Sequence, residues 1–174
     1  MSERTDGYAS AMLEIARAEG SLERVADELF SFARTLETSD ELRATITDAA
    51  IPTERRQGVI EDLLGSRAHP VSVNLVSFVV GSGRGSDLVA IIGRLVELSA
   101  EARDRVVAEV RSAQPLSSDQ LDRLGAALSQ RTGKKVDVKV IIDPGVLGGL
   151  VTQIGDTVID GSVRSRLAKL KEVL

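Results

Sequence analysis

Apolar residues recur every three or four positions through the first hundred residues, a spacing that places them on one face of a helix. The clearest such stripe consists of Leu22, Val25, Leu29, Phe32 and Leu36. Five other segments show the same spacing, around residues 8–16, 42–46, 59–64, 71–80 and 88–96. Because glycine, proline or a capping-box run separates these segments, the pattern predicts six short helices packed as a compact bundle.

Polar residues at the segment boundaries predict where three of the helices begin. The run from Thr38 to Glu41 has the composition of a capping box, in which side chains satisfy the first free amides of a helix. Ser86 is expected to cap the sixth helix. Ser117 and Gln120 form a second capping-box pattern, followed by Leu121, Leu124 and Leu128 on one helical face.

Near residue 105 the apolar spacing changes from a helical period to a period of two, which is typical of β-strands. Val106, Ala108 and Val110 alternate with more polar neighbours, and the same alternation returns over residues 136–142. The helix opened by Ser117 lies between these two strands. The second part of the chain is therefore predicted to contain a strand, a helix and a strand before its final segment.

The final segment, residues 143–174, predicts a hairpin and a last helix. Gly145, Gly148 and Gly149 allow a turn after the second strand, and Gly155-Asp156 is a two-residue hairpin signal between alternating strands. Asp160 and Ser162 are expected to cap a helix. Its apolar face would consist of Val163, Leu167, Leu170 and Leu174.

Together these patterns predict an α+β protein: an N-terminal six-helix bundle followed by a small α/β C-terminal domain with a mixed sheet. The predicted domains are residues 1–104 and 105–174. The charge distribution supports this division, because residues 1–104 carry 11 arginines against 18 acidic residues, whereas residues 105–174 carry 11 basic against 8 acidic residues.

The composition disfavours most classes of enzyme. The chain has no cysteine and a single histidine, His69, which is expected in a solvated loop, so thiolate chemistry and histidine metal clusters are disfavoured. Aromatic residues make up only 2% of the chain, which weakens a nucleic-acid interpretation that needs stacking side chains. No apolar run is long enough to span a membrane and no signal peptide is visible, so a soluble, cytoplasmic protein is expected.

Two glycine-rich loops and three aspartates are candidates for ligand sites. The loop at residues 81–86 lacks the lysine of a phosphate-binding loop. Gly145, Gly148 and Gly149 are better explained by close backbone approach at a turn. Asp143, Asp156 and Asp160 are spaced too irregularly for a calcium loop. The sequence therefore predicts no enzyme activity, no cofactor and no metal.

The fifth predicted helix is apolar on nearly every side, since residues 71–80 carry no charge. Two interpretations stay open: this helix is the centre of the bundle, or it leaves one face uncovered for a partner helix. The first helix carries an apolar stripe of its own. The candidate partner-binding residues on the two helices are Tyr8, Met12, Ile15, Leu75, Val76, Val79 and Val80.

The closing pattern D-P-x-x-x-G-G-x-x-x-x-I-G-D-x-x-x-D-G-S-V-R-x-x-L-x-x-L resembles the C-terminal signature of the delta subunit of F-type ATP synthases, whose mitochondrial homologue is the oligomycin-sensitivity-conferring subunit. Three shorter stretches agree with this resemblance: Tyr8-Ala9-x-Ala11, Arg84-Gly85-x-x-Leu88 and the junction at residues 113–117. The resemblance therefore covers nearly the whole chain, and it is strongest at the C-terminus.

The resemblance implies a non-catalytic stator subunit that links the catalytic head to the peripheral stalk. In this family the first and fifth helices receive the N-terminal helix of the alpha subunit, and the C-terminal domain binds the stalk b subunits. The implied location is the cytoplasmic face of the bacterial membrane, as a peripheral part of the complex. The signature or stalk-binding candidates are Gly148, Gly149, Asp160, Gly161, Ser162, Arg164, Leu167 and Leu170.

Two functions of other classes remain as alternatives. The runner-up is a stand-alone adaptor or regulatory protein whose weakly basic α/β domain associates with nucleic acid; a steep salt dependence of binding would reveal it. A small-molecule enzyme is disfavoured by the shortage of cysteine, histidine and aromatic residues. Co-purification with ATP synthase subunits would discriminate among all three.

Overall fold

The computed structural model describes residues 3–146, 148–155 and 157–161. This part of the chain contains seven α-helices and a four-stranded mixed sheet, so the predicted α+β class is confirmed. The chain divides into two compact units, residues 1–99 and 100–174. The first unit contains α1 (Glu3–Ala18), α2 (Leu22–Thr38), α3 (Asp40–Thr47), α4 (Thr53–Leu64), α5 (Pro70–Gly81) and most of α6 (Leu88–Glu101).

The second unit contains the sheet and the last described helix. Its elements are β1 (Arg105–Ser112), α7 (Ser118–Thr132), β2 (Lys135–Ile142), β3 (Leu150–Ile154) and β4 (Thr157–Asp160). Ser162 and the predicted final helix, which includes Arg164, Leu167 and Leu170, lie outside the described residues. In the described part of the chain, no helix is both long and apolar enough to cross a membrane.

The stripe that defined α2 in the sequence forms part of the core of the first unit. Val25, Leu29, Phe32 and Leu36 are all at most 5% exposed. Burying one such side chain contributes roughly 1.5–3 kcal/mol relative to leaving it in water. The amphipathic pattern therefore predicted both the helix and the direction in which it packs.

The predicted helix starts have three different outcomes. The capping box of α7 is confirmed, since the Ser117 hydroxyl accepts from the Gln120 amide at 3.3 Å and the Gln120 side chain accepts from the Ser117 amide at 2.8 Å. At α3 the cap is Ser39, whose hydroxyl accepts from the Leu42 amide. The prediction for Ser86 is wrong, because Ser86 lies inside a 3₁₀ turn, Gly85–Asp87, that leads directly into α6.

The first turn of α5 is capped partly by a side chain from another helix. The Glu28 carboxylate on α2 accepts from the His69 amide at 2.8 Å and from the Ser72 hydroxyl at 2.6 Å. The His69 ring nitrogen Nδ1 accepts from the Val71 amide. His69 is therefore the N-cap of α5. It lies in the connection before the helix, as predicted, but it is half-buried and takes part in the cap instead of being merely solvated.

These contacts set the charge state of Glu28. Burial raises the pKa of the carboxyl, but hydrogen bonds from Ser72, Arg24 and the His69 amide outweigh burial and hold the pKa of Glu28 below its ordinary value. A carboxyl whose pKa is lower in the folded state than in the unfolded state stabilises the fold at pH values above its unfolded-state pKa. That stabilisation disappears as the pH falls through the folded pKa.

We expect Glu28→Gln to lower the free energy of unfolding by roughly 1–2 kcal/mol at neutral pH, because the amide removes the charge that strengthens these hydrogen bonds. The difference from the wild-type protein should shrink below the folded pKa of Glu28, where the carboxyl is neutral as well. Urea denaturation at several pH values measures it. Glu61→Gln, at an exposed position on α4, is the control, and a difference that stays constant down to strongly acid pH would contradict the role of the charge.

A close backbone approach joins α3 to the turn before α6. A Cβ added at Gly85 would stand 2.4 Å from the Ile46 carbonyl oxygen, which is closer than any carbon can approach without a backbone shift. The same oxygen accepts from the buried Arg56 side chain at 3.4 Å. Glycine is therefore required at residue 85 by the packing of the turn on the end of α3.

We expect Gly85→Ala to destabilise the first unit by roughly 1–3 kcal/mol, because the Ile46 backbone must move to admit a methyl group. Gly93→Ala is the matched control: it lies on α6 with open space around its added Cβ, and alanine favours a helix by about 1 kcal/mol over glycine. The midpoint temperature of thermal unfolding should therefore fall for Gly85→Ala and rise for Gly93→Ala. Equal shifts would contradict the steric explanation.

The sheet has the strand order β2-β1-β3-β4, with β1 parallel to β2 and antiparallel to β3. The parallel connection runs through α7, as a crossover between parallel strands requires. One face of the sheet packs on α7 around Ala108, Leu128 and Val136. Arg105 on β1 and Asp137 on β2 lie on the opposite face of the sheet. There the Asp137 carboxylate forms ion pairs with Arg103 at 2.7 Å and with Arg105 at 2.8 Å.

Candidate functional site

A cleft between α1 and α5 is the candidate site of the first unit. Its volume is about 310 Å³. The α1 side supplies Ile15 and Glu19, and the α5 side supplies Val71, Asn74, Leu75 and Phe78. We call this cleft, together with the adjoining Tyr8 ring, the α1–α5 groove.

Large apolar side chains lie exposed along the α1–α5 groove. Ile15 is 47% exposed and Phe78 is 56% exposed. The Tyr8 and Phe78 rings lie 6.1 Å apart between centroids and are tilted by 43°, a separation at which aromatic pairs attract. Neighbouring exposed side chains of this size are typical of a surface that binds another apolar surface.

The seven partner-binding residues predicted from the sequence fall into two groups. Tyr8, Ile15 and Leu75 lie at the α1–α5 groove. The other four are in the core and at most 1% exposed, which leaves a partner little access to them: Met12, Val76, Val79 and Val80. Leu75 lines the groove but is itself only 3% exposed.

The sequence did not separate these buried residues from the groove residues because α5 carries no charged face to mark its orientation. On α5, Ser72, Val76, Val79 and Val80 point into the bundle, whereas Val71, Asn74 and Phe78 are rotated away from it. The two interpretations of α5, as the centre of the bundle and as a partner-binding surface, therefore each describe one face of the helix. One face is core, and the other lines the groove.

Sequence reasoning missed Phe78 and the polar rim residues Glu19 and Asn74. The available signal was the helical spacing of Val71, Asn74 and Phe78, which places all three on one face. Asn74 is the exposed polar member of that face. Ser72 is polar too but is 0% exposed, so polarity alone did not identify Phe78 as a groove residue.

The chemistry of the α1–α5 groove is that of a binding surface. Its walls are apolar, and its polar groups are the Glu19 carboxylate and the Asn74 amide at the edge. An amphipathic helix matches such a surface, because it buries one apolar face and leaves its polar face in water. Within the described ranges, no group of three or more His, Cys, Asp or Glu residues is arranged to hold a metal ion.

In the second unit, the glycines of the C-terminal signature line a separate cavity of about 790 Å³. Gly148 and Gly149 have φ angles of 77° and 78°, which residues with a Cβ rarely adopt. The N-terminal part of α7 contributes Gln120 and Arg123 to the lining of this cavity. The sequence did not predict that α7 begins beside these glycines. The strand order of the sheet brings the start of α7 close to Gly148 and Gly149, and local sequence patterns do not reveal that order.

The remaining signature residues have local structural roles or lie outside the described residues. Asp160 ends β4, where it pairs with Val151, and Gly161 donates its amide to the Leu150 carbonyl at 2.9 Å. Asp143 accepts from the Gly145 amide at 2.8 Å and shapes the turn after β2. Ser162, Arg164, Leu167 and Leu170 are among the residues that the structure does not describe.

Comparison with known proteins identifies relatives over nearly the whole chain. The family model described as the ATP synthase delta (OSCP) subunit matches residues 5–174. The chain is 40% identical over 164 residues to the ATP synthase subunit delta of Frankia casuarinae, covering 94% of this chain and 59% of that protein. It is 43% identical over 157 residues to the corresponding protein of Streptomyces lividans, covering 90% and 58%.

A solved structure agrees with these sequence relatives. A chain in the cryo-EM structure of the Toxoplasma gondii mitochondrial ATP synthase hexamer superposes with a TM-score of 0.61 and 28% identity, covering 97% of this chain and 95% of that chain. The curated relatives from Frankia and Streptomyces are longer, and this chain spans about three fifths of their length.

Proposed function

Because the chain belongs to the ATP synthase delta (OSCP) subunit family, we propose that it is a non-catalytic stator subunit of an F-type ATP synthase. In this proposal it links the alpha/beta catalytic head to the b subunits of the peripheral stalk. The rotor turns inside the head, and a head that is tethered cannot turn with it. The torque of the rotor then drives ATP synthesis coupled to proton transport.

The observation that carries this proposal is the α1–α5 groove. We propose that residues 1–104 form a helical bundle that receives the N-terminal helix of an alpha subunit in this groove. The exposed side chains Ile15 and Phe78 and the half-buried Tyr8 provide apolar contacts for such a helix. An acidic rim residue, Glu19, lies at one end and favours a basic side chain on the bound helix.

The expected strength of this contact follows from its size. Each apolar anchor contributes roughly 1.5–3 kcal/mol of gross burial energy, and association and side-chain ordering subtract from the total. With Val71, which also lines the groove, these side chains make four anchors and place the dissociation constant at roughly micromolar or below. In the assembled complex, a second attachment to the stalk raises the effective concentration of each contact.

We further propose that residues 105–174 bind the C-terminal helices of the b subunits, which assigns one partner to each domain. The support is the family membership and the C-terminal signature. In this arrangement the chain lies at the cytoplasmic face of a bacterial membrane as a peripheral part of the complex. Its catalytic partners carry the nucleotide sites.

The proposed function is tested with the purified chain and two fluorescent peptides, one from the N-terminus of an alpha subunit and one from the C-terminus of a stalk b subunit. Both should bind with micromolar or better affinity, and neither should displace the other, because they occupy different domains. A poly-nucleotide of mixed sequence is the control ligand. Binding of the nucleotide with a steep salt dependence, and of neither peptide, would favour the adaptor alternative.

A further inference from the structure

Glu28 on α2 contacts the first turn of α5, the helix that forms one wall of the α1–α5 groove. One oxygen of its carboxylate, Oε2, accepts from the His69 amide at 2.8 Å and from the Ser72 hydroxyl at 2.6 Å. The other oxygen, Oε1, accepts from Arg24 Nε at 2.7 Å. Arg24 therefore holds the carboxylate from its own helix, and the second oxygen is left to bind α5.

The turn that Glu28 holds also carries groove residues. Val71 and Asn74 line the groove at this end of α5, and Ser72 between them is 0% exposed and donates to Glu28. Neighbouring helical residues lie about 100° apart around the helix axis. Fixing Ser72 against α2 therefore also fixes the direction in which Val71 projects into the groove.

A first turn needs such support because its amides have no acceptors within the helix. If the turn frays, a partner helix that buries Val71 must order it again, and the cost of ordering is subtracted from the affinity. A carboxylate is a stronger acceptor than a neutral group, so the contact from Glu28 opposes fraying effectively. Glu28 lines a different pocket, beside the α1–α2 turn, so its effect on a bound helix passes through α5.

We propose that Glu28 is a positioning residue for the α1–α5 groove: together with Ser72 it holds the first turn of α5 in the conformation that binds a partner helix. This inference rests on the proposed function, because it requires the groove to receive a helix of the alpha subunit. Its consequence is that substitutions behind the wall weaken binding although every groove residue stays in place.

Two variants test the inference with the labelled peptide from the N-terminus of an alpha subunit. Fluorescence anisotropy should show binding weakened about tenfold in Glu28→Ala and about threefold in Ser72→Ala, because the loosened turn must be ordered on binding. Ser72→Ala changes no charge, so its loss cannot come from a weaker electrostatic attraction of the peptide. Glu61→Ala, which removes a carboxylate from an exposed position on α4, should bind as tightly as the wild-type protein.

A general loss of stability is distinguished by Gly85→Ala. This variant disturbs the same unit where the turn before α6 packs on the end of α3, away from the first turn of α5. At a temperature well below unfolding, its affinity for the peptide should match that of the wild-type protein. Equal weakening in Gly85→Ala and Glu28→Ala would overturn the positioning role.

Double-mutant cycles locate the effect within the groove. Val71 lies in the first turn of α5, and Phe78 lies seven residues later, about 10 Å along the helix axis. The losses from Glu28→Ala and Val71→Ala should combine to less than the product of the two, because both act on the same turn, whereas those from Glu28→Ala and Phe78→Ala should multiply. Losses that multiply in both cycles would contradict a local effect on the first turn.

Amide hydrogen exchange at residues 71–74 needs no peptide, and it should be faster in Ser72→Ala than in the wild-type protein. Ser72→Ala also carries the test if Glu28→Ala does not fold. A wild-type protein that binds no peptide would overturn the proposed function and this inference with it. A wild-type protein that binds the peptide no more tightly than Glu28→Ala and Ser72→Ala do would overturn this inference alone.

Discussion

Replacing Phe78 or Ile15 by aspartate should weaken binding of a peptide from the N-terminus of an alpha subunit by about 100-fold or more. Both side chains are about half exposed in the α1–α5 groove. Each substitution removes roughly 1.5–3 kcal/mol of apolar burial on binding and forces the peptide to cover a charge. A combined loss of about 3 kcal/mol corresponds to roughly two orders of magnitude in the dissociation constant.

Fluorescence anisotropy with a labelled peptide measures this loss, and circular dichroism verifies that the helices remain. Leu63→Asp is the matched control, because Leu63 is 41% exposed on α4 and does not line the groove. Leu63→Asp adds the same charge to the same bundle, and the affinity of this variant for the peptide should equal that of the wild-type protein. If Leu63→Asp weakened binding as much as Phe78→Asp did, the groove would not be the binding surface.

Val76→Asp should destabilise the first unit by roughly 4 kcal/mol or more, because it places a carboxylate in an apolar core without a partner. Val76 is 0% exposed on the inner face of α5. Total stabilities of domains this size are about 5–15 kcal/mol, so a large fraction of the molecules should unfold at moderate temperature. Chemical denaturation followed by far-ultraviolet circular dichroism measures the change.

Asn74→Asp is the control for Val76→Asp, since it adds the same charge to an exposed position two residues earlier on the same helix. Its effect on stability should stay within about 0.5 kcal/mol. A Val76→Asp protein that remained as stable as Asn74→Asp would show that this face of α5 is open to solvent. The face assignment of α5, and with it the composition of the groove, would then be wrong.

Sequence reasoning succeeded where a local pattern determines the structure. The amphipathic stripe of α2 predicted its buried residues, and the Ser117–Gln120 box predicted the start of α7 together with both of its hydrogen bonds. Gly155 at the β3–β4 turn has a φ of 55°, as a tight hairpin needs. Each of these features depends on residues that are near neighbours in the chain.

The sequence did not predict features that depend on distant residues. The cap that Glu28 provides for α5 joins two helices, and no spacing rule connects Glu28 with His69. The strand order, which brings the Gly148–Gly149 turn beside α7, is equally invisible in the local pattern. The α5 face assignment failed for a different reason: its apolar residues surround the helix, so periodicity contains no direction.

The position of β1 in its sheet has a mechanical consequence. β1 is the first strand of the second unit, and it pairs with β2 along eight residues and with β3 along five. These hydrogen bonds run across the strand direction. Tension applied along the backbone of β1 therefore loads all the bonds to β2 and to β3 together in shear, instead of breaking them one at a time. A strand bonded on both sides therefore resists sustained pulling better than either edge strand would.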